Sequence, residues 1–459
     1  MEAMIEPPAM ATAIPTLEVS DIQATVLRPR PSPYRGEYLI VRIDDAAQGR
    51  EMLRRLIPHV APADDWWVPT LPGWLAIAFT FAGLKAMGLP QTSLASFPQE
   101  FREGMGARAS ILNDVGNNAP ANWEYPFATS DMHVALAVYA RDEQSLESVL
   151  ERARQSHQDL PGISVVYRLK FSELPGGRNP FGFKDGLHNP HVEGSGGDVH
   201  PGYGPAIKAG EFVMGYPDEL GITATSPQPE VLRRNGTFLA FRKFHTRVAA
   251  FRKYLREQAS SPEEEELIAA KMVGRWRSGA PLVLAPERDD ADLGSDLDRN
   301  NAFSYGDDMK GTKCPFSAHI RRVNPRDALK NNLVAMNLHH FLRRGTNYGS
   351  PLPEGVLEDD GEERGGVFLL IGTHLKQQFE FVQSQWVTNG DFINQGTEQD
   401  PIIGNQRVDG TFTIPKVPVR RRFHSLPQFV DVRGGEYCFM PGLRALKWLV
   451  GLPAETAWY

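Results

Sequence analysis

The sequence predicts an α+β fold in two halves, each an antiparallel sheet carrying helices on one face. Three observations predict it. Short β-branched runs alternate with stretches of helical spacing, the strand–helix–strand order occurs twice, and a Gly/Pro-rich stretch separates the two occurrences. At 459 residues the chain is long enough for more than one domain, and 42 glycines and 36 prolines imply long loops between elements.

The elements follow in order. Residues 1–20 contain Pro7, Pro8 and Pro15, lack an apolar period and read as a loose tail. Tyr38 to Ile43 is a strand-like run, and Gly49 to Ile57 places Met52, Leu53, Leu56 and Ile57 at helical spacing. The apolar run Leu75 to Phe81 leads into Gly83 to Pro90, where Gly and Pro act as helix stops. His133 to Val138 is a strand, Leu146 to Ser156 a helix and Gly162 to Leu169 a strand. In the second half, Glu211 to Tyr216 and Phe238 to Arg242 read as strands and Val248 to Gln258 as a helix. Val367 to Ile371 is a strand leading into the mixed run Phe379 to Val382. The boundary falls in Gly194 to Pro205, which gives halves of 21–205 and 206–459.

Composition excludes several classes. A net charge of −7 lacks the basic excess of a phosphate-backbone binder, so no nucleic-acid partner is expected. Two cysteines, Cys314 and Cys438, exclude a disulfide scaffold and a four-cysteine zinc site. The amino terminus carries no basic n-region, apolar h-region or twin arginine, so a cytoplasmic protein is expected. The most apolar stretch, Trp74 to Leu89, is interrupted by Thr80 and Lys85 and falls short of the ~20 residues of a membrane span. There is no phosphate-binding P-loop, no His-Glu-x-x-His and no Gly-x-Ser-x-Gly elbow. The nearest dinucleotide-type loop, Gly202 to Ile207, lacks its third glycine.

Three segments stand out. Gly182-Phe183-Lys184-Asp185-Gly186 sets one carboxylate in a tight loop, although an ordinary Asp-Gly turn reads the same way. Cys314 to Arg326 places His319 among small apolar residues near Arg321, Arg322 and Arg326, company that suits an anionic ligand. Leu342 to Gly349 carries the pair Arg343-Arg344, which alone is a basic surface turn. Other histidines rank lower. Asn189-Pro190 keeps His188 and His191 off a helix and argues against a metal pair. His339 and His340, on an apparent helix, should point in different directions, one buried and one exposed.

Together these segments resemble the dye-decolorizing (DyP-type) haem peroxidases. Gly182 to Gly186 is similar to that family's GxxDG signature, CPFSAHIRRVNPR to its proximal-histidine segment and LRRGTNYG to its distal-arginine segment. FTFAGLKAMGLP, Phe101 to Asp114, EFVMGYPDE and RGGEYCFMPGLRALKWL extend the likeness from about residue 35 to about residue 450. The resemblance implies two ferredoxin-like halves, a dimeric α+β barrel, with haem b mainly in the carboxyl-terminal half. It implies His319 as proximal iron ligand, a role a neutral imidazole suits. Asp185 is implied as the group that moves a proton between peroxide oxygens, and Arg343 as the fixed cation, with Arg344 the weaker candidate. Asp400, in QDPIIG, resembles the carboxylate partner of the proximal imidazole; an Asp-Pro turn reads equally well. Arg321 is a candidate for a haem propionate, and Val367 and Leu369 for the distal lining. Trp386 resembles a surface aromatic used for long-range electron transfer in some members. Gly345 departs from relatives that carry Asn there and, in this, resembles the longer or fungal-type forms. The expected reaction uses hydrogen peroxide to oxidise aromatic donors, phenols or anthraquinone-type dyes, in one-electron steps, with a homo-oligomer left open. The alternative on the same scaffold is a haem- or iron-handling protein, deferrochelatase-like or a carrier.

Overall fold

The computed structural model describes residues 16–64, 72–196, 201–332, 335–406 and 409–453. Its strands are β1 (Arg35–Ile43), β2 (Gly73–Phe79), β3 (Val134–Ala140), β4 (Ile163–Ser172), β5 (Thr237–Thr246), β6 (Leu342–Tyr348), β7 (Gly365–Gly372), β8 (Phe412–Ile414), β9 (Arg421–Phe423) and β10 (Val430–Met440). The helices that matter below are α1 (Ala46–Leu56), α2 (Glu143–Gln155), α3 (Val248–Gln258), α4 (Pro262–Val273), α5 (His319–Val323) and α6 (Leu443–Val450). Eight strands form one antiparallel sheet in the order β4-β1-β3-β2-β10-β5-β7-β6.

Each half repeats one order. Numbered within its own half, the first runs 4-1-3-2, and the second (β5, β6, β7, β10) also runs 4-1-3-2. This is the ferredoxin-like α+β arrangement, used twice. The halves join where β2 meets β10, at Phe79 opposite Phe439. The outer strands β4 and β6 curve to within 8 Å of each other, Cα to Cα. The concave interior is filled by aromatics from both halves: Tyr38 lies edge-on to Phe241 at 5.3 Å and tilted against Phe171 at 4.6 Å. Covered on both faces, β3 is buried at every position, which explains its unbroken apolar run.

Local chemistry sets the helix ends. Asp45 and Asp142 cap α1 and α2 by accepting from Gln48 N and Ser145 N, both at 2.8 Å. Ser261 caps α4 ahead of Pro262, and Gly274, at φ +96°, ends it. Where the chain must bury charge it pairs it: Arg242 binds Asp114 through two bonds of 2.7 and 2.8 Å, both side chains out of contact with water.

Two expectations change here. Glu211 to Tyr216 is not a strand; a short 3₁₀ turn (Ala209–Glu211) leads into a loop. Its apolar residues Phe212, Val213 and Met214 are all buried, and a short apolar run reports burial without specifying a ladder. Of the expected tail, residues 1–15 lie outside the described residues, and within 16–20 Leu17 is buried and Glu18 pairs with Arg234 and Arg444.

Candidate active site

One cavity lies mainly in the second half, between β5, β6 and β7, helices α4 and α5, the wide helical segments Lys376–Glu380 and Val382–Val387, and the loop 179–190. It holds about 1490 Å³ of empty space, solvent at its mouth included. The helical segments are π-helical, a geometry found most often at functional sites.

His319 opens α5, and its Nδ1 donates to Asp400 Oδ2 at 2.8 Å, leaving Nε2 to the cavity it lines. Asp400 is fully buried; its other oxygen accepts from Ile402 N at 2.8 Å and Ile403 N at 3.0 Å. Burial alone would raise this carboxyl, but His319 and the two amides pull it below the ordinary aspartate value, so Asp400 is an anion. An anion on Nδ1–H fixes the imidazole tautomer and makes Nε2 more basic.

Asp185 lines the same cavity from its loop. Gly182 and Gly186 sit at φ +89° and +74°, which only glycine adopts without strain, so they turn the chain sharply around the carboxylate. Asp185 Oδ1 accepts from Gly186 N at 2.7 Å, and Oδ2 pairs with Arg30 Nη2 at 2.8 Å. Arg343, on β6, donates from Nη2 to His188 O at 2.6 Å, and its backbone N donates to Asn189 Oδ1 at 2.8 Å, so it also braces that loop. Burial lowers its guanidinium below the ordinary arginine value, with Asp185 partly offsetting that.

Several expected site residues lie elsewhere. Arg321 is buried away from the cavity, paired with Asp308 Oδ2 at 2.9 Å and set over the rings of Tyr305 and Phe316. Val367 and Leu369 face the core; Gly366, Phe368 and Leu370 line the cavity instead. The expectation was one residue out of register, and in a strand one residue exchanges the faces. Trp386 is no surface aromatic: it is 4% exposed, among His339, Phe381 and Phe392. Arg344 points away from the cavity and bonds the carbonyls of Thr25 and Val26. His339 and His340 both line the cavity half-buried, because the segment is a 3₁₀ turn running into β6 and not an α-helix.

The structure adds residues that the sequence did not single out. A second cavity adjoins the first and shares Asp185, Arg343, His188 and His319 with it. Arg275 and Arg326 line it, held by carbonyl and amide oxygens. Among the described residues neither they nor Arg343 form an ion pair, so three cations, Arg275 buried and the other two half-buried, face a space that also holds the Asp185 carboxylate. Burial pushes His340 down to about 4 and His188 well below its ordinary value, so both imidazoles are neutral, each with a buried Nδ1 lacking a partner. Unpaired buried donors and cations fit a ligand that brings carboxylates. Among the described residues no group of three or more His, Cys, Asp or Glu could hold a metal ion by itself. A single histidine therefore fits an iron whose other ligands come from a macrocycle.

A model of the DyP dimeric α+β barrel domain matches residues 21–172. The chain is 33% identical over 402 residues to a dye-decolorizing peroxidase of Mycetinis scorodonius, covering 81% of this chain and 75% of that protein. It is 32% identical over 464 residues to a dye-decolorizing peroxidase of Exidia glandulosa, covering 96% and 88%. Among solved structures, a dye-decolorizing peroxidase in complex with 2,6-dimethoxyphenol superposes with a TM-score of 0.85 at 26% identity, covering 95% of this chain and all of that one. A fungal DyP-type peroxidase from Auricularia auricula-judae gives 0.82 at 29% identity, with the same coverage. The fold and its relatives define an oxidoreductase of the peroxidase class. The chain belongs to the dye-decolorizing (DyP-type) peroxidase family. No helix among the described residues is long and apolar enough to cross a membrane.

Proposed function

We propose that this protein is a haem b peroxidase in which His319 would hold the haem iron, Asp185 is the proton-transfer group and Arg343 the charge-stabilising cation. The observation that carries the reading is the meeting, in one cavity, of an imidazole backed by the Asp400 anion with an Asp and an Arg from another part of the chain. When bound, haem supplies the electrons that cleave peroxide and recovers them singly from an organic donor.

The protein's own groups do the rest. As a carboxylate, Asp185 takes a proton from one peroxide oxygen and returns it to the other, which leaves as water. Arg343, half-buried and without a carboxylate partner of its own, faces the charge that develops on the departing oxygen. Asp400 keeps His319 in the tautomer whose Nε2 is free to ligate. Arg275, Arg326, His188 and His340 are suited to hold the propionates. The cavity's aromatic and aliphatic walls, Phe368, Phe244 and Leu370 among them, support aromatic donors such as phenols and anthraquinone-type dyes. The test is an absorption spectrum of haemin-reconstituted protein before and after one equivalent of peroxide. A Soret band that shifts within seconds and recovers on adding a phenol supports the reading; a band indifferent to peroxide refutes it.

A further inference from the structure

Arg30 lies on a strap, residues 23–34, that precedes β1 and crosses to the second half. The strap is fixed at its start, where Gln23 Nε2 donates to Ile77 O at 2.9 Å and Pro441 O at 2.8 Å. It is fixed again where buried Arg344 on β6 donates to Thr25 O at 2.8 Å and Val26 O at 2.6 Å. Beyond these anchors the Arg30 guanidinium rests 4.6 Å from the centre of the Tyr34 ring. Its Nη2 reaches Asp185 Oδ2 at 2.8 Å, across 155 residues of sequence. The Asp185 loop turns on two glycines, and the only other hold on the carboxylate among the described residues is the adjacent Gly186 amide.

We propose that Arg30 is a positioning residue for Asp185: the strap carries an arginine latch that fixes the carboxylate's orientation for proton transfer. This rests on the reading in which Asp185 moves the peroxide proton. A carboxylate on a glycine-flanked loop turns freely about its side-chain bonds, and proton transfer needs heavy atoms at about 2.6–3.2 Å. The latch removes that freedom before peroxide arrives. It also divides the labour of the β6 arginine pair. Arg343 faces the cavity, and Arg344, on the opposite face, holds the strap that delivers Arg30.

The test is a double-mutant cycle on the reconstituted protein, reading the second-order rate constant with peroxide by stopped flow. Arg30→Leu is expected to lower it about 10–100-fold while leaving the donor KM within about twofold. Arg30→Lys recovers most of the loss, because the contact is a single N–H. In an Asp185→Asn background Arg30→Leu adds less than about twofold, since the group it positions is already gone. A crystal structure of Arg30→Leu shows the Asp185 carboxylate rotated. Should Arg30→Leu not fold, Arg30→Met carries the same expectations. Equal losses in both backgrounds, or a parent-like rate in a folded Arg30 variant, overturn the latch and leave the peroxidase reading standing. A parent-like rate for Asp185→Asn alone removes the role assigned to Asp185, and the latch with it.

Discussion

Replacing Asp400 by asparagine changes one atom and forces a choice on three hydrogen bonds. The carboxylate accepts from His319 Nδ1, Ile402 N and Ile403 N, at 2.8, 2.8 and 3.0 Å, and is fully buried. An amide offers one oxygen. If that oxygen stays on the two backbone N–H groups, the NH₂ faces Nδ1, which must then accept. The imidazole proton moves to Nε2, and Nε2 can no longer ligate iron. If the amide flips, Nδ1–H keeps its acceptor but two buried N–H groups lose theirs, at about 1–3 kcal/mol each. Outer partners of metal-bound histidines are worth about 10–100-fold in affinity, or about 1.4–2.8 kcal/mol. Haemin affinity of Asp400→Asn should fall by that factor, measured by titrating apoprotein at the Soret band, with thermal unfolding as the check on folding. A folded variant binding haemin within twofold of the parent would refute the reasoning.

Arg343→Leu removes a fixed cation from the cavity and should slow the reaction with peroxide about 100-fold or more, read by stopped flow. Arg321→Met breaks a buried ion pair with Asp308 and should cost about 3–5 kcal/mol in denaturant unfolding, an effect on folding and not on propionate binding. Phe368→Ala should change the relative kcat/KM for large and small donors, whereas Val367→Ala, on the opposite face of β7, should lower only the unfolding midpoint. Glu211 gives a pH dependence. It is buried, and desolvation, against the pull of the Glu219 backbone N–H and with a smaller push from Asp218, raises its pKa from 4.5 to about 7. The unfolded chain therefore loses this proton before the native state does. Glu211 thus subtracts stability progressively between about pH 4.5 and 7, on the order of 3 kcal/mol in all. Glu211→Gln should gain stability over the parent at pH 8 and none at pH 4, measured by urea unfolding at both.

Local signals in the chain carried much of the first half. The β1, α1, β3, α2 and β4 runs each have a clear period, so their type and order are readable to within a few residues. The second half is harder. Strand β6 contains Arg343, Arg344, Gly345, Thr346 and Asn347, polar residues that favour a turn unless a neighbour buries them. That neighbour is β7 on one side and the strap on the other. The segment Lys376–Val387 mixes apolar and polar residues in a period that fits neither a strand nor an ordinary helix, because it is π-helical.

By itself the sequence determined the fold class and, through several motifs in one order along the chain, the family; the resemblance also singled out His319, Asp185 and Arg343, which line one cavity, and Asp400, which hydrogen-bonds His319. Only the tertiary structure decided which neighbours these residues have. Arg30 lies 155 residues from the carboxylate it holds, and Arg275, Arg326 and Arg343 reach one space from three separate segments. It also decided that Arg321 belongs to Asp308 and that Phe368, not Val367, lines the cavity. A buried charge is committed to whichever partner the fold places beside it, and strand faces are set by ladder register; neither is written in local sequence.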